Sequence, residues 1–221
     1  MASYPSVGIV SVGMGNISAI EGALRRLCIQ SSRVHTSDDL LAITHLIIPG
    51  VGAMGAFMSR LKYNNLYYSL RSFAGHGKIL GICLGFQSLY SYSHEGQCDC
   101  LDLLEGEVKP IKEFTKISTN IGYLEISERD RVPPLVNQII PLKPLLTENV
   151  CMIGRRYRPE YYFTHSYFVP VGKSTTHTAQ LDPELCITAA SSNGVNIYGT
   201  QFHPELSHAI GRTLISQFIS K

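Results

Sequence analysis

Cys83 is the residue of this 221-residue chain that most clearly could do chemistry. It closes an apolar run, Lys78-Ile79-Leu80-Gly81-Ile82-Cys83-Leu84-Gly85-Phe86-Gln87, with a glycine two residues to either side. G-x-C-x-G is the cysteine form of the strand–nucleophile–helix elbow. The glycines leave room for a tight turn that holds the nucleophile in a strained conformation. A helix starting at once turns its N-terminal amides toward the sulfur, where they stabilise negative charge. The chemistry implied is attack by a thiolate on an acyl carbon.

Such a thiolate needs a base. Of eight histidines, His203 stands out in Gly199-Thr200-Gln201-Phe202-His203-Pro204-Glu205. It follows a strand that Pro204 prevents from continuing. Glu205 lies two residues on, so its carboxylate can fold back to the imidazole, fix its tautomer and stabilise the imidazolium. A single cysteine after an apolar run is usually core, and a single histidine at a strand end is usually a hydrogen-bonded surface residue. Together, in these contexts, Cys83, His203 and Glu205 read as nucleophile, base and orienting acid. Attack on an acyl carbon also creates an oxyanion that must be held. The N–H of Leu84 is one natural donor. Pro49-Gly50-Val51-Gly52, at the C-terminal end of a parallel strand, is the best second source, although an ordinary strand–helix turn reads the same way.

Other motifs carry less. Gly13-Met14-Gly15-Asn16 lacks the third glycine of a dinucleotide fingerprint, since Ser18 stands there, and reads as a turn into a helix capped by Asn16. His94-Glu95 has no second histidine four residues on and is no zinc-protease motif. Cys98-Asp99-Cys100 has no partner pair at zinc spacing, so no metal and no cofactor is expected. Tyr157, Tyr161, Tyr162 and Tyr167 read as core and surface aromatics.

The elements that must position these groups alternate in the first hundred residues. Apolar runs at 7–12, 33–35, 45–48 and 78–82 read as strands. Helical periodicity appears at 17–27, 38–43, 56–62 and 66–74. This pattern predicts an α/β fold, with a doubly wound, mostly parallel central sheet flanked by helices. The second half reads as strands at 107–111, 123–126, 161–169, 185–190 and 195–201, forming a smaller antiparallel sheet. Ser192-Asn193-Gly194 is the expected hairpin turn, and a helix over 207–219 capped by Ser207 closes the chain. The prolines at 133, 134, 141 and 144 mark loops, so residues 1–221 are expected to form one domain.

Composition bounds the rest. Hydrophobic residues make up 44% and charged residues 16%, as in a globular protein. A net charge of +2 gives no argument for nucleic acid or an anionic membrane. No apolar stretch is long enough to span a bilayer. Met1 to Ser6 lack the charged and apolar regions of a secretion signal. The six scattered cysteines, at 28, 83, 98, 100, 151 and 186, suit reduced thiols in a cytoplasmic protein.

At this point the motifs resemble a known family. Gly81-Ile82-Cys83-Leu84-Gly85 with Gln87, and Gln201-Phe202-His203-Pro204-Glu205, look like the class I (triad) glutamine amidotransferases. Gly13-Met14-Gly15-Asn16, Ile48-Pro49-Gly50-Val51-Gly52-Ala53 and Tyr162-Phe163-Thr164-His165-Ser166-Tyr167 narrow the likeness to glutaminase subunits of imidazole glycerol phosphate synthases. The resemblance runs from residue 7 to the C-terminus. It implies that Cys83 attacks the γ-carboxamide of L-glutamine and that His203 shuttles the proton. Glu205 would orient His203, with the amides of Leu84 and of Val51 or Gly52 as the oxyanion hole. It implies that Gly50, Gly52, Gln87, Thr164, His165 and Ser166 hold the glutamine. It further implies that ammonia passes through a channel to a (β/α)8-barrel synthase, or cyclase, subunit in a heterodimer, in histidine biosynthesis. Where the family usually has an acidic and an aromatic residue before Gly-Met-Gly-Asn, this chain has Ser11-Val12. Where it usually has His-Met-Gly-Trp-Asn, it has Asn120-Ile121-Gly122-Tyr123-Leu124. Alternatives are a paralogous glutaminase feeding amidine formation on a surface-polysaccharide sugar, a partner-free cysteine hydrolase, and a non-enzymatic binding module.

Overall fold

The computed structural model describes residues 5–129 and 160–220. The first four residues, Cys151, Tyr157 and the prolines at 133, 134, 141 and 144 lie outside them. The elements run β1 (Val7–Val10), α1 (Ile17–Arg26), β2 (Ser31–Val34), β3 (His45–Ile48), α2 (Met54–Tyr63), α3 (Leu66–Phe73), β4 (Lys78–Ile82) and α4 (Leu84–Gln87). Then follow β5 (Tyr92–Ser93), β6 (Cys98–Asp99), β7 (Glu107–Pro110), β8 (Asn120–Glu128), β9 (Glu160–His165) and β10 (Tyr167–Phe168). The chain ends with β11 (Thr175–Asp182), β12 (Leu185–Ser192), β13 (Ile197–Thr200) and α5 (His208–Ser220).

The large sheet has the order β2-β1-β3-β4-β13-β12-β11-β8-β9 among the described residues. Its first five strands are parallel and the remaining pairings antiparallel. The smaller sheet, β10-β7-β5-β6, packs separately. The expected α/β architecture is present. Most strands of the second half extend the large sheet rather than build the small one.

Successive residues of the central strands face opposite sides. In β3, Ile47 joins one apolar cluster with Leu24 of α1 and Phe218 of α5. Its neighbours Leu46 and Ile48 join the other cluster, with Phe57 of α2 and Phe73 of α3. Helices therefore cover both faces, which is why β1, β3 and β4 read as continuous apolar runs rather than alternating ones. Asn16 caps α1 as expected, accepting from the Ala19 amide at 3.3 Å.

Local structure departs from expectation in several places. The segment at 38–43 is a 3-10 turn, Asp38–Ala42. The strand expected over 161–169 is broken at Ser166 into β9 and β10, which join different sheets. The 193–196 turn is wider than a two-residue hairpin. The side chain of Asn193 accepts from the amides of Val195, Asn196 and Ile197. Ser207 does not cap α5 with its hydroxyl. That hydroxyl donates to the His203 carbonyl at 2.6 Å and accepts from the Tyr162 amide at 3.0 Å. No helix of the described residues is long and apolar enough to cross a membrane.

Candidate active site

The parallel pairing of β4 with β13 sets the site. Ile82 lies opposite Thr200, so Cys83 and the segment that follows Thr200 leave the sheet side by side. The Cys83 amide donates to the Thr200 carbonyl at 2.8 Å. Cys83 then turns sharply, with φ 52° and ψ −108°, a conformation that a non-glycine residue keeps only where its surroundings enforce it. Those surroundings are backbone. A Cβ on Gly81 would overlap Gly85 and Phe86, and one on Gly85 would overlap the carbonyls of Ile48 and Pro49. A Cβ on Gly50 would overlap the amides of Leu84 and Gly85. The turn after β3 is thus pressed against the elbow, which requires glycine on both sides of the contact.

His203 and Glu205 meet as the sequence suggests. His203 Nδ1 lies 2.8 Å from Glu205 Oε1, and both side chains are almost fully buried. Pro204 opens a single 3-10 turn, Pro204–Leu206, which brings the carboxylate back onto the ring. The His203 backbone is clamped as well, its amide donating to Tyr162 O at 2.8 Å and its carbonyl accepting from Ser207. Behind it, Gly211 of α5 packs so closely on Pro204 that a Cβ there would overlap the Pro204 carbonyl. Beneath it, Phe202 is fully buried against Tyr161 and Phe163.

Burial by itself disfavours a charged imidazole, but the Cys83 sulfur and the Glu205 carboxylate more than offset it and raise His203 to about 10. The site therefore favours the imidazolium form of His203. Among the described residues, His203 Nε2 makes no aligned hydrogen bond. Cys83 Sγ instead lies 3.6 Å from the Thr164 carbonyl and 3.8 Å from Gln201 Nε2. His203 and Cys83 act on each other here through proximity.

Cys83 opens into a cavity of about 290 Å³ lined by Gly50, Val51, Gly52, Leu84, Gln87, Thr164, His165 and Ser166, all singled out from the sequence, and by Glu95, Thr119 and Tyr167, which no motif assigns to it. Leu84 opens α4, so its N–H has no partner within that helix. The Gly13–Asn16 turn supports this wall from outside. A Cβ on Gly15 would press on Pro49, and one on Gly52 on Met14.

Two expected substrate contacts take a different form. Gln87 lines the cavity, yet its NH2 donates to Tyr167 O at 2.8 Å and to Gln201 Oε1 at 3.0 Å. Both of its N–H bonds are therefore engaged inside the protein. His165 is buried and pulled down to about 4 by that burial; the Tyr167 carbonyl opposes the shift and His203 adds to it. As a neutral ring it donates from Nδ1 to Tyr167 O and accepts at Nε2 from Asn120 Nδ2. Its side chain links β8 to β9 at the cavity wall. Ser166 Oγ and Thr119 Oγ1 share a hydrogen bond of 2.8 Å.

Glu95 is the residue that sequence reading misses. It sits in the loop between β5 and β6, where no motif marks it. Its carboxyl is raised by burial, against the lowering effect of the Met54 amide that donates to it. A half-buried carboxylate at the rim of a pocket is suited to an ammonium group. No cluster of three or more metal-ligating side chains occurs among the described residues.

A strained cysteine elbow, a buried His–Glu pair just after the adjacent parallel strand and a half-open cavity of mixed polar and apolar lining are the parts an acyl-transfer site needs. The class-I glutamine amidotransferase family matches residues 9–221, and the chain belongs to that family. Its curated relatives are narrower in name. The imidazole glycerol phosphate synthase subunit HisH of Xanthomonas euvesicatoria is 33% identical, covering 96% of each chain. That of Bdellovibrio bacteriovorus is 33% identical, covering 96% of this chain and 98% of its own. That of Leptospira interrogans is 30% identical over 97% and 99%. Among solved structures, a glutamine amidotransferase superposes with TM-score 0.68 at 18% identity, covering 97% of both chains. The structure of PurLQS from Thermotoga maritima gives 0.64 at 14% identity, covering 99% of both chains. At that identity the structures support the fold alone.

Proposed function

We propose that this chain is the glutaminase subunit of an imidazole glycerol phosphate synthase, hydrolysing L-glutamine at Cys83 and passing ammonia to a synthase partner. The carrying observation is the buried 2.8 Å His203–Glu205 pair set beside a nucleophile with φ 52°. The Cys83 thiolate attacks the γ-carboxamide carbon, and the Leu84 amide with that of Val51 or Gly52 holds the oxyanion. The imidazolium of His203 gives its Nε2 proton to the departing nitrogen, and ammonia leaves. A γ-glutamyl thioester remains. His203, now neutral, takes a proton from water as it attacks, and glutamate is released as the thiolate re-forms. Glu205 holds the ring orientation throughout. Glu95 would receive the α-ammonium group, with Gly50, Gly52 and the Thr164–Ser166 backbone shaping the rest of the pocket.

The partner reading rests on the names of the relatives and on the surface beside the site. Ile121 is 69% exposed and Tyr123 44% exposed on β8. Tyr123 stacks on His208 at 5.7 Å and touches Tyr162, whose carbonyl holds the His203 amide. An exposed apolar and aromatic edge next to the histidine suits docking of a barrel synthase in a heterodimer over the site, where ammonia would be captured before protonation. The free thiols of Cys28, Cys83, Cys98, Cys100 and Cys186 suit a reducing cytoplasm.

Cys83→Ala is expected to lower glutamine hydrolysis by at least about a thousandfold while leaving association with the synthase intact. Hydrolysis near the wild-type rate would overturn the mechanism. Purifying the complex from its source cells and identifying the bound subunit tests the partner; a sugar-amidinating synthase in its place would overturn the histidine-pathway assignment.

A further inference from the structure

We infer that Gln201 is the hydrogen-bond donor that holds the Cys83 sulfur as a thiolate, in an orientation imposed on it by Gln87. The inference rests on Cys83 being the nucleophile, as proposed above.

Gln201 is fully buried, and its Nε2 lies 3.8 Å from Cys83 Sγ. An amide can present either nitrogen or oxygen to a neighbour, so what matters is which end faces the sulfur. The Tyr167 carbonyl settles this. A carbonyl can only accept, so the NH2 of Gln87 must face it, as it does at 2.8 Å. The same NH2 faces Gln201 at 3.0 Å, so the group it meets there must be the Gln201 oxygen. The Gln201 NH2 is then left pointing at Cys83. The relay from Tyr167 O through Gln87 to Gln201 leaves the sulfur facing a donor.

The opposite neighbour of Cys83 is an acceptor. The Thr164 carbonyl lies 3.6 Å from Sγ and can take a hydrogen bond only from the protonated thiol. The two contacts therefore favour different protonation states. Thr164 O suits S–H, and Gln201 Nε2 suits S⁻. When the thiol proton moves to His203 Nε2, the electron pair remains on sulfur and the sulfur exchanges its Thr164 contact for the Gln201 donor. Gln201 itself neither gains nor loses a proton, so it adds stabilisation of the thiolate without competing with His203 as base. The titratable groups near the sulfur are His203 with Glu205 behind it, His165, and Glu95 at the pocket wall. A neutral substitution at Gln201 leaves the charge of all four in place.

The test is Gln201→Met, which keeps an unbranched side chain and removes the donor. Two readouts are taken: the pH profile of Cys83 alkylation by iodoacetamide, followed by mass of the Cys83 peptide, and steady-state glutamine hydrolysis. The alkylation profile is expected to move about one pH unit higher, and kcat to fall about tenfold with KM changed less than about twofold. An alkylation profile and kcat both within about twofold of wild type overturn the inference. If Gln201→Met does not fold, Gln87→Met takes its place. It removes the group that fixes the Gln201 orientation, so the profile moves the same way by a smaller amount, and an unmoved profile counts against the inference. Cys83→Ala, run in parallel, separates the two readings. Persistent hydrolysis there removes the nucleophile, whereas loss of hydrolysis with normal Gln201 and Gln87 variants removes only the role of Gln201.

Discussion

In the parallel half of the large sheet, every residue of β1, β3 and β13 is buried, and so is β4 after Lys78. In the antiparallel half, β8 is buried only at Asn120 and Ile126 and alternates between exposed and half-buried positions between them. The first half delivers Cys83 and His203 from adjacent strand ends and holds them by backbone against backbone. The second half supplies the Thr164–Tyr167 wall and the exposed aromatic edge. Reacting groups thus stand where two covered faces leave no freedom. The proposed docking edge stands where one face still meets solvent. Two buried histidines show what a neighbouring charge decides. His203, where β13 joins the halves, is raised to about 10 by Cys83 and Glu205 against its burial. His177, inside β11, is lowered to about 4 by burial with no charge to offset it.

The contrast is broken most severely at the elbow. Gly85→Ala forces a Cβ into the carbonyls of Ile48 and Pro49. It is expected to cost several kcal/mol, about 3 or more, and to abolish hydrolysis; denaturant unfolding and turnover check both. Next comes Glu205→Gln, which keeps the shape but loses the charge beside His203. Hydrolysis is expected to fall by about a hundred- to a thousandfold, less than for Cys83→Ala, in assays at neutral pH.

A milder test lies in the antiparallel half. Ile121→Asp should leave stability within about 0.5 kcal/mol and hydrolysis by the isolated chain unaltered. It should weaken binding to the synthase about tenfold or more, measured by titration calorimetry. Equal affinity would detach β8 from the docking surface.

The smallest effect concerns pH. The folded value of His177 lies below its ordinary 6.5, so the unfolded chain binds more protons between about 4 and 6.5. Its contribution is therefore intact above about 6.5 and is lost as pH falls toward 4. His177→Leu should flatten the decline of Tm over that interval, and an unchanged slope would place the acid sensitivity elsewhere. His203 works in the opposite direction. Its contribution is intact below about 6.5 and is lost as pH rises toward 10.

Legibility in the sequence divides along the same line. β1, β3 and β4 announce themselves because strands covered on both faces are continuous apolar runs. β11 does not, because Thr175-Thr176-His177-Thr178 reads as polar. The strand satisfies its two buried threonine hydroxyls internally, Thr175 with Thr188 and Thr176 with the Ala190 carbonyl. Cys83, His203 and Glu205 are readable because they are close to motif glycines or to each other in sequence. Glu95 and Thr119 are not, because loops bring them to the cavity from segments with no local signature. Gln201 is visible in its motif, but only the relay through Gln87 gives it something to do. Ser207 reads as a helix cap and is instead a brace for the histidine backbone.

Gly211 carries a wider consequence. It lies on α5, outside the cavity lining, yet it admits the Pro204 carbonyl to a spot no side chain would leave open. A divergent homologue can therefore keep Cys, His and Glu in their motifs and still have lost the enzyme, if this helical glycine has been replaced by something bulky. Sorting working members of the family from decayed ones should include the residue eight positions after the histidine as well as the three of the proposed triad.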